Sequence, residues 1–154
     1  MISTLARPCE VEHILLDADL HDRRQLFTAI GQVVSQNQPQ ASADIAQRLD
    51  ERESLGSTGL GHGVAIPHAR MDSLSTSVAL LVRTAEPILF DAPDDKPVDL
   101  FFVVLVPEQA TQEHLQRLAD AARLLSERRV REALRTSVSI AAVCAVLRDE
   151  GLTS

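Results

Sequence analysis

The sequence predicts an α/β sandwich, a mixed central sheet with helices on both faces, and three observations carry that reading. Apolar stripes at helical spacing alternate along the chain with short apolar runs of strand length. One such run, Val98 to Val106, is nearly all β-branched, aliphatic or aromatic, as a central strand covered on both faces requires. The 154 residues, 45% of them hydrophobic, suffice for one compact domain whose core needs no disulfide or metal. A single domain over residues 1–154, with its core over about 10–148, is therefore expected.

Ile14 to Leu16 reads as an edge strand, and the following Asp17-Ala18-Asp19 offers carboxylates to cap a helix. Between Asp22 and Ser35 the residues Leu26, Phe27, Ile30, Val33 and Val34 keep a helical period until Gln36 to Gln40, with Pro39, breaks it. A second helix starts near Ser42. In it Ile45, Leu49 and Arg52 fall at i, i+4 and i+7, so the arginine shares the inward stripe and needs a partner there.

Gly56 to Gly63 holds four glycines in eight residues and reads as a tight, permissive loop. Val64 to Ile66 resumes an apolar run that Pro67 stops just before His68. Ser77 to Thr84 reads as a strand, and Pro87 to Pro97 as a Pro/Asp-rich connection around Ile88-Leu89-Phe90. Pro107 ends the central strand, and Thr111 caps a helix whose inner face would be Leu115, Leu118, Ala119, Ala122 and Leu125. His114 then sits in its first turn. Helices around Val130 to Leu134 and Ile140 to Leu147 complete the chain, with Gly151 as a stop.

The core must be aliphatic, because Trp and Tyr are absent and Phe27, Phe90, Phe101 and Phe102 are the only aromatic side chains. A formal net charge of -7 argues against binding DNA or RNA through phosphates, which needs clustered Lys and Arg in excess. Cys9 and Cys144 fit no C-x-x-C or framework spacing and read as reduced, inert thiols. The first residues lack a charged start followed by about 7–15 apolar residues, and no apolar run approaches the ~20 residues of a membrane helix. The expected location is cytoplasmic.

The segment Arg52-Glu53-Ser54-Leu55-Gly56-Ser57-Thr58-Gly59-Leu60-Gly61-His62-Gly63-Val64-Ala65-Ile66-Pro67-His68 carries the chemistry. It puts a histidine straight after a rigid proline, beyond a glycine loop whose N–H groups can approach an anion. A neutral imidazole nitrogen, with an unperturbed pKa of about 6.5, accepts a phosphoryl group well near pH 7. Phosphoryl transfer asks the protein mainly for positioning and charge stabilisation. His68 is thus the candidate acceptor, His114 and Arg52 the candidate holders of phosphoryl oxygens, and Ser57, Thr58 and Gly59 candidate anion-binding residues.

Other chemistries fit less well. Gly59-Leu60-Gly61-His62-Gly63 lacks the G-x-G-x-x-G spacing and follows a helix, and no G-x-x-x-x-G-K-[ST] occurs, so neither a nucleotide cofactor nor directly bound ATP is expected. A zinc site from His62, His68 and His114 matches no H-E-x-x-H or Cys/His spacing, so no metal is expected. His62 reads as a loop residue that faces water or modulates the site. Glu127-Arg128-Arg129 and Arg131-Glu132 read as a solvated helix face, and Arg70 as an exposed arginine able to help dock a donor protein.

Leu55-Gly56-Ser57-Thr58-Gly59-Leu60-Gly61-His62-Gly63-Val64-Ala65-Ile66-Pro67-His68 resembles the active-site signature of enzyme IIA domains of the fructose/mannitol and nitrogen-regulatory type of the phosphotransferase system. Pro97-Val98-Asp99-Leu100 to Leu105-Val106-Pro107-Glu108, followed by His114-Leu115, is similar to the family's second signature. The resemblance implies a sheet of about five strands between helices. It also implies that His68 is phosphorylated, that His114 is the second active-site histidine and Arg52 the active-site arginine, and that a histidine-containing phosphocarrier protein is the donor. Two positions depart from the pattern: Ala69 stands where many members have Gly, and His62 where Asn or Gln is frequent.

Within that family two roles differ. A transport component passes its phosphoryl group to a cysteine or histidine of a sugar-permease domain, whereas a regulator binds targets according to its phosphorylation state. The nitrogen-regulatory type resembles this chain better, through the stretch from Leu105 to Leu115 and the lack of a fused carrier, permease or transmembrane segment. The partners so implied include potassium-transport components and sensor kinases. No nucleic-acid partner and no membrane insertion is expected.

Overall fold

The computed structural model describes residues 11–36, 42–72, 74–109 and 111–149. Cys9, the break around Pro39 and the stop at Gly151 lie outside the described residues. Among those described, six strands and five helices form a mixed α/β sandwich. In order they are β1 (His13–Ala18), α1 (Arg23–Ser35), α2 (Ser42–Leu55), β2 (Gly59–Gly61), β3 (Val64–Ala65), β4 (His68–Met71), β5 (Val78–Ile88), β6 (Val98–Pro107), α3 (Gln112–Leu125), α4 (Arg128–Thr136) and α5 (Ile140–Asp149). The expected sandwich is therefore observed, with six strands where about five were expected.

The sheet runs β1-β5-β6-β3-β2, and β4 also pairs with β6. β5 and β6 are antiparallel, while β1 lies parallel to β5, and β3 and β4 parallel to β6. The strand expected to be central is central. Its side chains alternate: Phe101, Val103 and Leu105 join α1 and α2 in one core, and Leu100, Phe102, Val104 and Val106 join α3, α4 and α5 in the other. Both faces are covered by helices, so a continuous apolar run is what such a strand needs. In the first core Phe90 packs edge-on against both Phe27 and Phe101, with centroids 6.1 and 5.1 Å apart.

Local differences from the sequence expectations have physical causes. Asp22, not Asp17 or Asp19, caps α1, accepting from the Gln25 N–H at 2.8 Å. Asp17 instead pairs with Arg83 at 3.1 Å. The connection expected from Pro87 starts later, because β5 continues through Pro87 to Ile88. Its pairing with β6 is irregular between Arg83 and Ile88, so the missing proline N–H falls where the ladder is broken.

The inner face of α3 is formed by Ala121, Leu124 and Leu125, with Leu118 and Ala122 alongside, whereas Leu115 and Ala119 are exposed. Arg131 is not on a solvated face. It is 7% exposed, and its Nη1 donates to the carbonyls of Leu125 and Ser126 at 3.2 and 2.7 Å, closing the end of α3. Cys144 is buried in the second core as a small apolar side chain.

Candidate functional site

β3 and β4 hold one register along β6, Val64 facing Leu100 and His68 facing Val104. Between them Ile66 and Pro67 step out of strand geometry. Pro67 has no N–H to give, and its carbonyl accepts from the Val104 N–H at 3.0 Å. The Ile66 carbonyl is thereby left for the ring of His68, whose Nδ1 lies 3.0 Å from it. A carbonyl only accepts, so Nδ1 carries the proton and Nε2 keeps its lone pair. Arg52, in the last turn of α2, donates from Nε to that Nε2 at 3.3 Å. Its Nη1 donates to the Gly56 carbonyl at 2.8 Å. The inward arginine thus has its partners, and one of them is the candidate acceptor.

His114 is fixed in another way. Thr111 caps α3, its Oγ1 accepting from the His114 N–H at 3.4 Å, while His114 Nδ1 accepts from the Thr111 N–H at 3.0 Å. This reciprocal pair is a capping box with histidine in the place usually held by Glu or Gln. With Nδ1 as acceptor, the neutral ring carries its proton on Nε2 and presents a donor. His114 follows the end of β6, the strand to which β4 is paired, but no hydrogen bond joins it to His68 or Arg52.

The glycine segment is a hairpin as well as a loop, β2 and β3 joined through His62 and Gly63, both with positive φ, 57° and 78°. Its tip is held from two sides. Asp94 accepts from the His62 N–H at 3.1 Å and from the Lys96 N–H at 3.1 Å, and these backbone donors hold its carboxyl below the usual range. Arg135 donates to the His62 carbonyl at 2.6 Å and pairs with Asp99 at 2.9 Å. A Cβ on Gly63 would meet Arg135 Nη2 at 2.5 Å and push that side chain out of its clamp, and the φ of 78° itself favours glycine. His62 itself is exposed.

The three candidate anion-binding residues differ. Ser57 is exposed, its Oγ accepting from the Gly59 N–H at 3.0 Å and donating to the Phe90 carbonyl at 3.4 Å. Thr58 is buried, and both its N–H and its Oγ1 donate to Glu53, at 2.6 and 2.8 Å. Its two donors are therefore occupied, as is the Gly59 N–H. Glu53, 5% exposed, is the residue that sequence reasoning passed over. The signal was present, since Glu53 continues the Ile45, Leu49 row at i+4. Arg70 is exposed and donates to the Glu108 carbonyl at 3.0 Å. Among the described residues no group of three or more His, Cys, Asp and Glu gathers that could hold a metal ion, and no helix is long and apolar enough to cross a membrane.

The chain belongs to the family described as phosphoenolpyruvate-dependent sugar phosphotransferase system, EIIA 2, whose model matches residues 7–150. It is similar to the nitrogen regulatory protein of Pseudomonas aeruginosa, 38% identical over 128 residues that cover 82% of this chain and 83% of that one. The nitrogen regulatory protein IIA-Ntr of Neisseria meningitidis has a similar crystal structure, with a TM-score of 0.82 and 42% identity over 88% of this chain and 92% of that one. The mannitol IIA of Escherichia coli, at 22% identity over 87% and 94% of the two chains and a TM-score of 0.71, shares the fold.

Proposed function

We propose that this chain is a one-domain phosphohistidine carrier and that His68 accepts the phosphoryl group through Nε2 from a histidine-phosphocarrier protein. The observation that carries the reading is the fixed ring: Nδ1–H donates to the Ile66 carbonyl, and the Nε2 lone pair faces the guanidinium of Arg52. In the transfer that lone pair attacks the phosphorus of the donor's phosphohistidine. The new Nε2–P bond forms as the donor's N–P bond breaks, and that electron pair returns to the donor ring. Nδ1 keeps its proton throughout, and the Ile66 carbonyl offsets the positive charge that develops on the ring.

Arg52 is the residue suited to follow the phosphoryl oxygens as the lone pair it rests on is consumed. His114, presenting Nε2–H at the start of α3, is suited to donate to the same oxygens and is aided by the helix N-terminus. Ser57, in the exposed turn after Gly56, is the hydroxyl best suited to assist.

The regulatory role is the one we favour: phosphorylation adds about -1.5 to -2 charge beside Arg52 and changes which protein surfaces can dock there. Similarity to nitrogen regulatory proteins supports it. Potassium-transport components and sensor kinases are the proposed targets. The second reading is a sugar-transport role that hands the group to a permease IIB domain. It is supported by 44% identity over 101 residues, about two thirds of each chain, to a fructose-specific EIIA component of Haloferax volcanii. In either role the carrier acts in the cytoplasm as a relay intermediate, not as an ATP-dependent kinase.

Incubation with a phosphorylated carrier protein tests the acceptor. One acid-labile, base-stable phosphoryl group should be added, as expected for a phosphoramidate. Full labelling of His68→Ala, or labelling by ATP alone, would overturn the proposal.

A further inference from the structure

The site residues close into a ring of hydrogen bonds that begins and ends on α2. Glu53 accepts from the N–H and hydroxyl of Thr58, at 2.6 and 2.8 Å. The Thr58 carbonyl accepts from the Ile66 N–H at 3.1 Å. The Ile66 carbonyl accepts from His68 Nδ1 at 3.0 Å, and His68 Nε2 accepts from Arg52, the chain neighbour of Glu53. We propose that Glu53 and Thr58 are positioning residues that fix the tautomer and aim of His68 through the Ile66 peptide. The inference rests on the reading of His68 as the acceptor.

Physical cost separates this role from ordinary packing. A carboxylate 5% exposed is unfavourable unless its lone pairs are filled, and one in the last turn of a helix also opposes the helix dipole. Among the described residues no cation pairs with Glu53. Its compensation is two short charge-assisted bonds, both to Thr58. An apolar residue would fill the same space without the penalty, but it would leave the Thr58 N–H and hydroxyl without the acceptor that anchors them to α2. That peptide orients Ile66, and the Ile66 carbonyl on Nδ1, with the Arg52 N–H on Nε2, decides which nitrogen of His68 is bare. If Glu53 lets go, the Ile66 carbonyl drifts, the hold on the Nδ1 proton weakens, and the form protonated on Nε2 gains population. The assignment removes Thr58 from the set of anion-binding donors and makes it the link between α2 and the acceptor.

The tautomer can be read without any phosphoryl transfer, from ring ¹⁵N shifts of His68 in the intact chain. In the parent protein Nδ1 should show the protonated signature and Nε2 the lone-pair signature. Glu53→Ala should mix the two forms, and so should the nearly isosteric Thr58→Val, which serves if Glu53→Ala fails to fold. Thr58→Ser should restore the parent spectrum. In the same variants the turnover of phosphoryl uptake should fall about tenfold, with the KM for the phosphorylated donor little changed, since a mis-aimed nucleophile lowers rate before it lowers docking. An unchanged tautomer and rate in folded Thr58→Val would overturn the proposal. A tautomer lost in the variants of a protein that accepts no phosphoryl group would support the ring and overturn the acceptor reading.

Discussion

The two histidines of the site are held in opposite tautomers. His68 gives its Nδ1 proton to a backbone carbonyl and keeps a bare Nε2, while His114 takes a backbone N–H on Nδ1 and so carries its proton on Nε2. The difference comes from the local backbone. A strand interrupted by Pro67 leaves a carbonyl over, whereas a helix start leaves N–H groups over. One region leaves a bare ring nitrogen, the other a ring N–H. Both ring nitrogens of His68 are engaged, whereas among the described residues no hydrogen bond to Nε2 of His114 is seen.

If the comparison holds, the largest effect belongs to His68. His68→Ala should accept no phosphoryl group at all, as read by mass spectrometry under neutral conditions. Arg52→Ala should come next, slowing transfer by about 10²-fold, the scale for removing one preorganised donor from a transition state. Stopped-flow or quench measurements of label uptake check it, and an unchanged rate in a folded variant would make Arg52 a structural partner of Gly56. His114→Ala should still accept a single label, about tenfold more slowly, because it removes a helper and leaves the nucleophile intact. A loss as complete as that of His68→Ala would erase the distinction.

The smallest effect lies at the hairpin tip. The backbone N–H groups of His62 and Lys96 hold the Asp94 carboxyl below its ordinary range. A lowered folded pKa means that this hold is fully present above the ordinary carboxylate pKa and is lost as pH falls through the depressed one. The amide shift of Lys96 should therefore stay constant from neutral pH down to the ordinary carboxylate pKa and titrate only below it. Asp94→Ala should abolish that titration and leave the His68 ring signals unchanged.

Much of this arrangement was legible in the sequence, for reasons tied to particular residues. The unbroken run from Leu100 to Val106 could only be a doubly covered strand, and Arg52 on the row of Ile45 and Leu49 had to find a partner inside. Pro67 before His68 announced a fixed approach to the ring. Thr111 was legible as a cap, but the ring of His114 closing the box was not, because histidine rarely takes that place.

Other features depended on the fold. Arg131 reads as a surface charge until α4 turns back and brings it to the carbonyls that end α3. Pro87 reads as a strand breaker until the irregular pairing with β6 excuses its missing N–H. Thr58 reads as an anion donor because it is a hydroxyl in a glycine loop, and only the burial of Glu53 reveals where it points. The clamp of Arg135 on His62 spans 73 residues, a separation that no local pattern encodes.

In the proposed transfer His68 presents a bare Nε2 to the phosphoryl group while His114 serves it as a donor. One measurement addresses both halves: ³¹P–¹⁵N coupling in the phosphorylated protein with ¹⁵N-labelled histidine rings. The account predicts one coupled nitrogen, Nε2 of His68, with Nδ1 still protonated and both nitrogens of His114 uncoupled. Coupling to Nδ1 of His68, or to either nitrogen of His114, would contradict it.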